Sequence, residues 1–446
     1  MRILQALGWY YPENVGGSEI YVSALSKLLA GMGHDLCIAA PLAGIESPRT
    51  YTHDGLNVYR YPIPSNPTRD EGRGRRPTRG AEFFRQWLVD LQPDVAHFHS
   101  IFTGMGLTEM RAAKATGARL IFTSHASSLG YICQRGTLMR LGVFPCDGLT
   151  EVVKCSVCEL QHRGMPLSLG HVIAREPVSL SRYLSTLDNP IGTALGMPEL
   201  IARNRNLQRE LFAILDGFVV LTRSAADIVA RNGGPPEKLF VNALGISESS
   251  EITKPGPAIR PTESPVRLGY LGRFDPVKGV IELAEALRIL PPSLRFSFEF
   301  RGPVLTTSDR ETLGRVRMIS AGDTRVTFAP AVPAPEVASV LRSYDALVCP
   351  SVCAEGGPTV ALEAQSVGTP VVGTRIGGLA ELVEDGKNGR LVRPGDVRAL
   401  AEMLVTLIES PGETIDRWRT LLPAVRTMSD VADDYINLYD GPLVTR

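Results

Sequence analysis

The sequence has no surplus of charge of either sign. Its 47 Lys and Arg are matched by 47 Asp and Glu, giving a formal net charge of zero over 446 residues. Such a chain has no global field to hold a polyanion, which excludes a nucleic acid polymer as the expected partner. Long apolar runs are also missing, and nothing approaches the roughly 18 to 20 residues of a membrane-spanning helix. Residues 1–4 lead directly into a strand-like run without the apolar core of a signal peptide, so a cytoplasmic location is expected. The cysteines are seven, an odd number unevenly placed, which argues against a disulfide framework. Charged residues make up only 21% against 44% hydrophobic, a balance that excludes disorder.

What is present points to two α/β domains, because the length exceeds what one hydrophobic core serves. Apolar runs of strand length at 3–7, 36–40, 95–99, 120–124, 218–222 and 239–244 alternate with amphipathic stretches at 19–30, 81–91, 106–116, 200–215 and 224–232. Strand followed by helix, repeated, means a parallel sheet covered on both faces. The alternation stops at 248–265, where Ser, Pro, Thr and Gly dominate, and this stretch reads as an interdomain linker. It restarts with strands at 266–271, 295–300, 326–328, 346–349 and 371–373, interleaved with helices up to 397–408. The reading is therefore two Rossmann-like, doubly wound domains.

Two segments stand apart. Residues 66–80 carry Arg69, Arg73, Arg75, Arg76 and Arg79 against Asp70 and Glu71. They predict a flexible basic loop able to meet an anionic acceptor or, peripherally, the inner face of a membrane. Residues 133–189, bearing Gly, Pro and Cys, read as an insertion inside the first domain.

Ligands of open parallel sheets bind beyond the carboxyl ends of the strands, so the loops after strands hold the candidate residues. Gly16 and Gly17 precede a helix, where backbone N–H groups and the helix dipole can face an anion; a plain helix start with Ser18 as cap explains them equally well. The spacing is not the G-x-G-x-x-G of a nicotinamide site, and no acid ends the second strand, so a dehydrogenase is disfavoured. Gly272-Arg273 and Lys278-Gly279 bound a loop whose two cations can converge on one diphosphate, Arg as a planar fork and Lys as a point charge. There they would stabilise the charge that builds on a departing diphosphate.

Glu355-Gly356-Gly357-Pro358-Thr359 leads into a helix bearing Glu363. Pro358 suits the first helical position, the N–H groups around Gly357 and Thr359 can face a phosphate, and Glu363 can accept two ribose hydroxyls. An acid among Val360, Ala361, Leu362 and Ala364 needs such a partner. His97, His99 and His125 end strands; His125 is followed by small residues that leave room for a sugar.

With these residues in view, the chain resembles the retaining glycosyltransferases of the GT-B fold, family 4 (glycosyl transferases group 1). The resemblance spans nearly the whole chain and is carried by Gly16-Gly17-Ser18-Glu19, His125, Gly272-Arg273 with Lys278-Gly279, Glu355-x7-Glu363 and Gly377-Gly378-Leu379-Ala380-Glu381. It implies two domains facing across a cleft. The first would be residues 1–250 plus a returning terminal helix at 426–446, with the insertion at 133–189, and the second, donor-binding, residues 266–425. It further implies transfer of a sugar from a nucleoside diphosphate sugar to a hydroxyl acceptor in glycan, polysaccharide or glycoconjugate synthesis. Anomeric configuration would be retained by front-face attack, with no metal required for transfer. Arg273, Lys278, Glu355 and His125 would be catalytic, and Gly16, Gly17, Gly272, Gly356, Gly357, Thr359 and Glu363 donor-binding.

Members often carry an acid directly after this histidine, where the present chain has Ala126. That departure keeps open a non-catalytic nucleotide-sugar-binding partner of another transferase, beside a GT-B epimerase; a phosphorylase would need a pyridoxal-phosphate lysine that nothing here marks. Cys133, Cys146, Cys155 and Cys158 fall close together, and Cys155-x2-Cys158 is half of a zinc spacing. A structural zinc knuckle ordering the insertion is the expectation, against buried unliganded thiols.

Overall fold

The structure, a computed structural model, describes residues 1–13, 16–247 and 264–441. The linker expected at 248–265 thus lies, for residues 248–263, outside the described residues. The chain divides into two compact units. The first comprises Met1–Gly136, Asp147–Ala243 and the segment from Met428; the second comprises Thr137–Cys146 and Leu244–Thr427.

In the first unit eight strands form one sheet among the described residues. Their spatial order is Leu239–Val241, Gly217–Val220, Arg119–Ser124, Val95–Phe98, Arg2–Ala6, Asp35–Ala43, Leu56–Ile63 and Arg49–His53. All neighbours run parallel except the last pair. Ile3, Leu4, Val95, Ala96, Leu120 and Ile121 are buried together, because strands covered on both faces need apolar residues on both. Each fully buried Leu, Ile or Val contributes about 1.5–3 kcal/mol.

Two of these strands fall outside the runs expected from the sequence. Arg49–His53 and Leu56–Ile63 form a hairpin around Asp54-Gly55, whose φ angles are 50° and 80°. An Asp-Gly pair at positive φ is the two-residue turn whose twist matches the flanking strands. That signal was present in the sequence, but the strand Arg49–His53 is polar and largely exposed, so no apolar run drew attention to it.

Residues 66–80 are not the flexible basic loop expected. Thr68 and Glu71 cap each other reciprocally and start the short helix Arg69–Gly72. Arg69 donates to the carbonyls of Ser185, Leu187 and Asn189, and Arg75 pairs with Glu199 at 2.5 Å. These two guanidiniums are consumed inside the unit. Among the described residues no helix is long and apolar enough to cross a membrane.

The insertion region is largely helical, with Val152–His162, Leu167–Ala174, Val178–Leu184 and Pro190–Leu195 leading into the long helix Met197–Ile214. A small hairpin, Met139–Arg140 with Phe144–Pro145, lies in the stretch that belongs to the second unit.

In the second unit six strands run parallel, ordered Val326–Pro330, Phe296–Gly302, Val266–Leu271, Ala346–Cys349, Val371–Thr374 and Gly389–Val392. Taken by chain position this is 3-2-1-4-5-6, the order of the dinucleotide-binding sheet. The chain reverses its direction of winding between Val266–Leu271 and Ala346–Cys349. Loops that leave those two strands diverge to opposite faces and leave a crevice for a ligand.

The helix Met428–Asp440 packs on the helix Gly17–Gly31 of the first unit. Tyr435 is fully buried, and its hydroxyl meets Thr123 Oγ1 at 2.8 Å and the Tyr21 hydroxyl at 3.2 Å. Replacing Tyr435 by Ala is expected to destabilise the first unit by about 3–5 kcal/mol, as for other large buried side chains. Tyr435→Phe, which removes only the hydroxyl, should cost about 1 kcal/mol. Urea unfolding of the two variants, followed separately for each unit, measures the difference.

Candidate active site

The two loops at the winding reversal of the second unit are locked to each other. Val352 N–H donates to the Val277 carbonyl at 2.9 Å. Gly279 has φ 71°, and a Cβ there would lie 1.9 Å from the Pro350 carbonyl oxygen, so only glycine fits. Across this contact Lys278 Nζ donates to Glu355 Oε2 at 2.5 Å, while Ser351 Oγ donates to Glu355 Oε1 at 2.5 Å. A carboxylate has about four lone-pair sites, so Glu355 keeps capacity for further donors while orienting Lys278.

Arg273 leaves the same loop but has other partners. Its Nη2 lies 3.0 Å from Asp275 and 3.5 Å from Asp309. Burial disfavours ionisation of Asp309, but the N–H groups of Leu305 and Thr306 together with Arg273 outweigh it and hold that carboxyl below its usual range. The two cations therefore sit on one loop, each with its own counter-charge.

Gly356 and Gly357 continue from Glu355, and Gly357 has φ 128°. Pro358 is the cap residue, with φ −72° and ψ 115°, and the helix runs Thr359–Ser366. The expectation that Pro358 opens the helix is thus one residue off, and Thr359 takes that position. No side chain caps this end, so the N–H groups of its first turn remain suited to an anion. The loop is braced from below: Gly378 N–H donates to the Glu355 carbonyl at 2.8 Å, and a Cβ on Gly377 would lie 2.4 Å from that oxygen. The Gly377-Gly378 pair therefore serves the site by close backbone approach. Ala354 N–H is held at 3.0 Å by the Thr137 carbonyl, a brace that nothing in the sequence announced.

Glu363 lies on the second turn of Thr359–Ser366. Its carboxylate makes no hydrogen bond or ion pair among the described residues, and burial alone pushes its pKa up. Glu363 is half-buried, and an acid so placed without a donor carries a desolvation penalty that incoming hydroxyl groups relieve.

In the first unit Gly16 caps the helix Gly17–Gly31 without a side-chain hydrogen bond; a Cβ on it would lie 2.8 Å from Glu19 Oε2. Ser18, the alternative cap, lies inside the helix instead. His125 follows the strand Arg119–Ser124 and its Nε2 meets His99 Nδ1 at 2.9 Å. His99 Nε2 in turn meets Gln5 Oε1 at 2.6 Å. With the Gln5 oxygen as acceptor, His99 carries its proton on Nε2, so His125 must donate from Nε2 and keep a lone pair on Nδ1. Gln5 and His99, which position His125, were not singled out for this role by the sequence; the parallel pairing of Arg2–Ala6 with Val95–Phe98 brings them together.

Burial pushes the His125 pKa down to about 4, and those of His97 and His99 well down. At neutral pH His125 is an uncharged donor and acceptor, suited to a sugar hydroxyl rather than a phosphate.

The zinc knuckle expected at Cys133, Cys146, Cys155 and Cys158 finds no support. No group of three or more potential ligands gathers among the described residues. Cys155 and Cys158 lie on the helix Val152–His162.

Against this geometry the family comparisons are decisive. Residues 16–150 match the "Glycosyl transferase 4-like domain" and residues 265–410 match "Glycosyl transferases group 1". The chain belongs to the group 1 glycosyltransferases. The chain is 30% identical over 223 residues to the D-inositol 3-phosphate glycosyltransferase of Arthrobacter sp. (strain FB24), covering 46% of the present chain and 52% of that protein. It thus spans about half the length of the curated relatives it matches. Among solved structures it superposes on sucrose-phosphate synthase (tll1590) from Thermosynechococcus elongatus with a TM-score of 0.65 at 18% identity, covering 98% of each chain. Anabaena Alr3699/HepE, solved in complex with UDP and glucose, gives 0.60 at 15% identity, covering 98% of this chain and 99% of that one. These likenesses show the fold, and the fold class is GT-B.

The depressed imidazole pKa values have a consequence for the stability of the first unit. Unfolded imidazoles protonate near pH 6.5, whereas folded His125 resists until about 4. Stability present above about pH 6.5 is therefore lost as pH falls toward about 4, where the unfolded chain binds more protons. His125→Gln should flatten that slope by up to one proton, read from urea unfolding of the first unit across the same window.

Proposed function

We propose that the protein transfers a sugar from a nucleoside diphosphate sugar to a hydroxyl acceptor with retention of anomeric configuration. The observation that carries this reading is the locked pair of loops at the winding reversal of a dinucleotide-type sheet, where Lys278 is held by Glu355. A fixed cation at that point suits a diphosphate whose charge increases as it departs. Arg273 and Lys278 would hold the diphosphate and supply positive charge without calling on a metal for transfer. The N–H groups around Gly357 and Thr359 would face it, with Gly272 and Gly356 allowing close approach. Glu363 would accept both ribose hydroxyls, which relieves its burial. Glu355 would contact the transferred sugar, as would neutral His125, while Gly16 and Gly17 would face donor phosphate or acceptor.

In the transfer step the bond between the anomeric carbon and the phosphate oxygen breaks. The acceptor oxygen bonds to the same face of that carbon, and its proton passes to the departing phosphate oxygen. No flanking pair of nucleophilic and acidic carboxylates is then needed, unlike a glycoside hydrolase. The relatives named above, a D-inositol 3-phosphate glycosyltransferase and a protein solved with UDP and glucose, fit this class of reaction. The acceptor would be a glycan, lipid-linked or small hydroxyl compound.

Purified protein incubated with UDP-, GDP-, ADP- and TDP-sugars and candidate acceptors should release nucleoside diphosphate with at least one donor. Tight nucleotide binding without turnover on any of them would favour a binding partner over an enzyme. Lys278→Ala should lower kcat by about 100- to 1,000-fold, the cost of removing one charge-stabilising group, with circular dichroism unchanged; full activity excludes its assigned role. Proton NMR of the product should show the donor's anomeric configuration.

Glu363→Gln should raise the KM for the donor by about ten-fold or more, in line with losing hydrogen bonds to a charged acceptor. A 2′-deoxy donor should be far less sensitive to that substitution. Equal sensitivity would remove Glu363 from the ribose.

A further inference from the structure

The strands Val266–Leu271 and Phe296–Gly302 pair side by side in the second unit, with Leu271 opposite Arg301. Beyond that pair their backbones touch. Gly272 N–H donates to the Arg301 carbonyl at 3.0 Å, and a Cβ on Gly302 would lie 1.8 Å from the Gly272 carbonyl oxygen, which leaves no room for a side chain. This approach brings the start of the helix Thr307–Ile319, which follows Phe296–Gly302 in the chain, to the side chain of Arg273.

Arg273 is held at both ends. Its carbonyl accepts from the buried Tyr270 hydroxyl at 2.5 Å. Its guanidinium is gripped through one nitrogen, with Nη2 at 3.0 Å from Asp275 Oδ2 and 3.5 Å from Asp309 Oδ1. Nε and Nη1 make no hydrogen bond or ion pair among the described residues, and the side chain is 45% exposed.

Each acid uses its other oxygen on the backbone. Asp275 Oδ1 accepts from Val277 N–H at 3.0 Å; Asp309 Oδ2 accepts from the N–H groups of Leu305 at 2.9 Å and Thr306 at 3.1 Å. Asp275 lies on the arginine's own loop and moves with it. Asp309 belongs to a different crossover, is 1% exposed, and is the third residue of a helix that it and Thr306 cap reciprocally. Of the two, Asp309 is the fixed mount.

Two effects of that carboxylate oppose each other. Its charge repels any anion that Arg273 holds. Its grip removes in advance the rotamer freedom that a long side chain would otherwise lose on binding, which is worth about two- to ten-fold in affinity. Burial decides between them. An anion reaches the half-exposed guanidinium from solvent but has no access to the Asp309 carboxylate, whose charge is already met by Arg273 and two N–H groups.

We propose that Asp309 is a positioning residue for the transfer reaction: it fixes Nη2 of Arg273 so that the N–H groups on Nε and Nη1 face the diphosphate of the donor. The inference deepens the transferase reading and rests on it for the identity of the anion.

Calorimetric titration of the full chain with UDP, GDP, ADP and TDP finds the nucleotide that binds, and its nucleoside is the control without phosphate. Asp309→Asn keeps the shape without the charge and should weaken that nucleotide about two- to ten-fold, leaving the nucleoside unchanged. In an Arg273→Gln background the same substitution should cause no further loss. A similar loss in both backgrounds would mean that the acid merely supports its own helix, and tighter binding to Asp309→Asn would mean that repulsion dominates; either overturns the proposal.

Asp309→Glu and Asp309→Gln repeat the comparison should Asn disturb the fold, because both suit the third helical position of a reciprocal cap and only one carries charge. Glu should bind the nucleotide more tightly than Gln, and equal binding counts against the proposal. A wild-type chain that binds no nucleotide more tightly than its nucleoside would overturn the transferase reading and the proposal together. A wild-type preference for the nucleotide with a failed comparison of backgrounds overturns the proposal alone.

Discussion

The candidate site of the second unit depends on one close approach, that of Gly279 to the Pro350 carbonyl. Side-by-side pairing of the strands Val266–Leu271 and Ala346–Cys349 delivers two loops to the same place, but adjacency alone would leave their tips independent. The absent side chain at Gly279 lets the backbones touch, and the hydrogen bond from Val352 to Val277 fixes their register. Only then does the Lys278–Glu355 pair form at a defined position. An ion pair at this degree of exposure would by itself do little to hold two mobile loops. Here the backbone contact does the holding and the charges inherit the geometry.

The first unit solves its polar problem differently. Its buried imidazoles are uncharged and connected: His125 to His99 to Gln5 in one chain, and His97 to Tyr439 and Thr123 in another, at 2.6 and 2.7 Å. Neutral donors and acceptors can be buried at modest cost when each finds a partner, whereas buried cations cannot. The unit thereby presents an orientable, chargeless group at His125.

Much of this was legible in the residues because it follows local rules. Gly272 to Gly279 sits between a strand and a helix, and Glu363 stands out as an acid among apolar neighbours, so both could be read from the sequence. The two parallel sheets came from the alternation of apolar runs and amphipathic stretches, and the GT-B class from the resemblance that the loop motifs carry. What escaped were contacts between elements distant along the chain. Gln5 looks like an ordinary strand residue until its neighbour strand supplies His99, and Thr137 braces Ala354 from more than two hundred residues away. The zinc expected from the cysteine spacing has no support among the described residues, where Cys155 and Cys158 fall on a helix. Arg69 and Arg75, conspicuous as a charged run, proved to be structural ties once Ser185, Leu187 and Glu199 were folded against them.

The placement of the helix Met428–Asp440 has a further consequence for how the chain comes together. The second unit, although it begins later, has all of its residues by Thr427. The first unit has most of its sheet earlier, yet Thr123 and His97, already paired with each other, acquire their second hydroxyl partners only when Tyr435 and Tyr439 arrive. During synthesis from the N-terminus the unit started first is therefore completed last. Until then its half-formed core must persist with polar groups unmatched, while the intervening unit is free to fold around its own sheet.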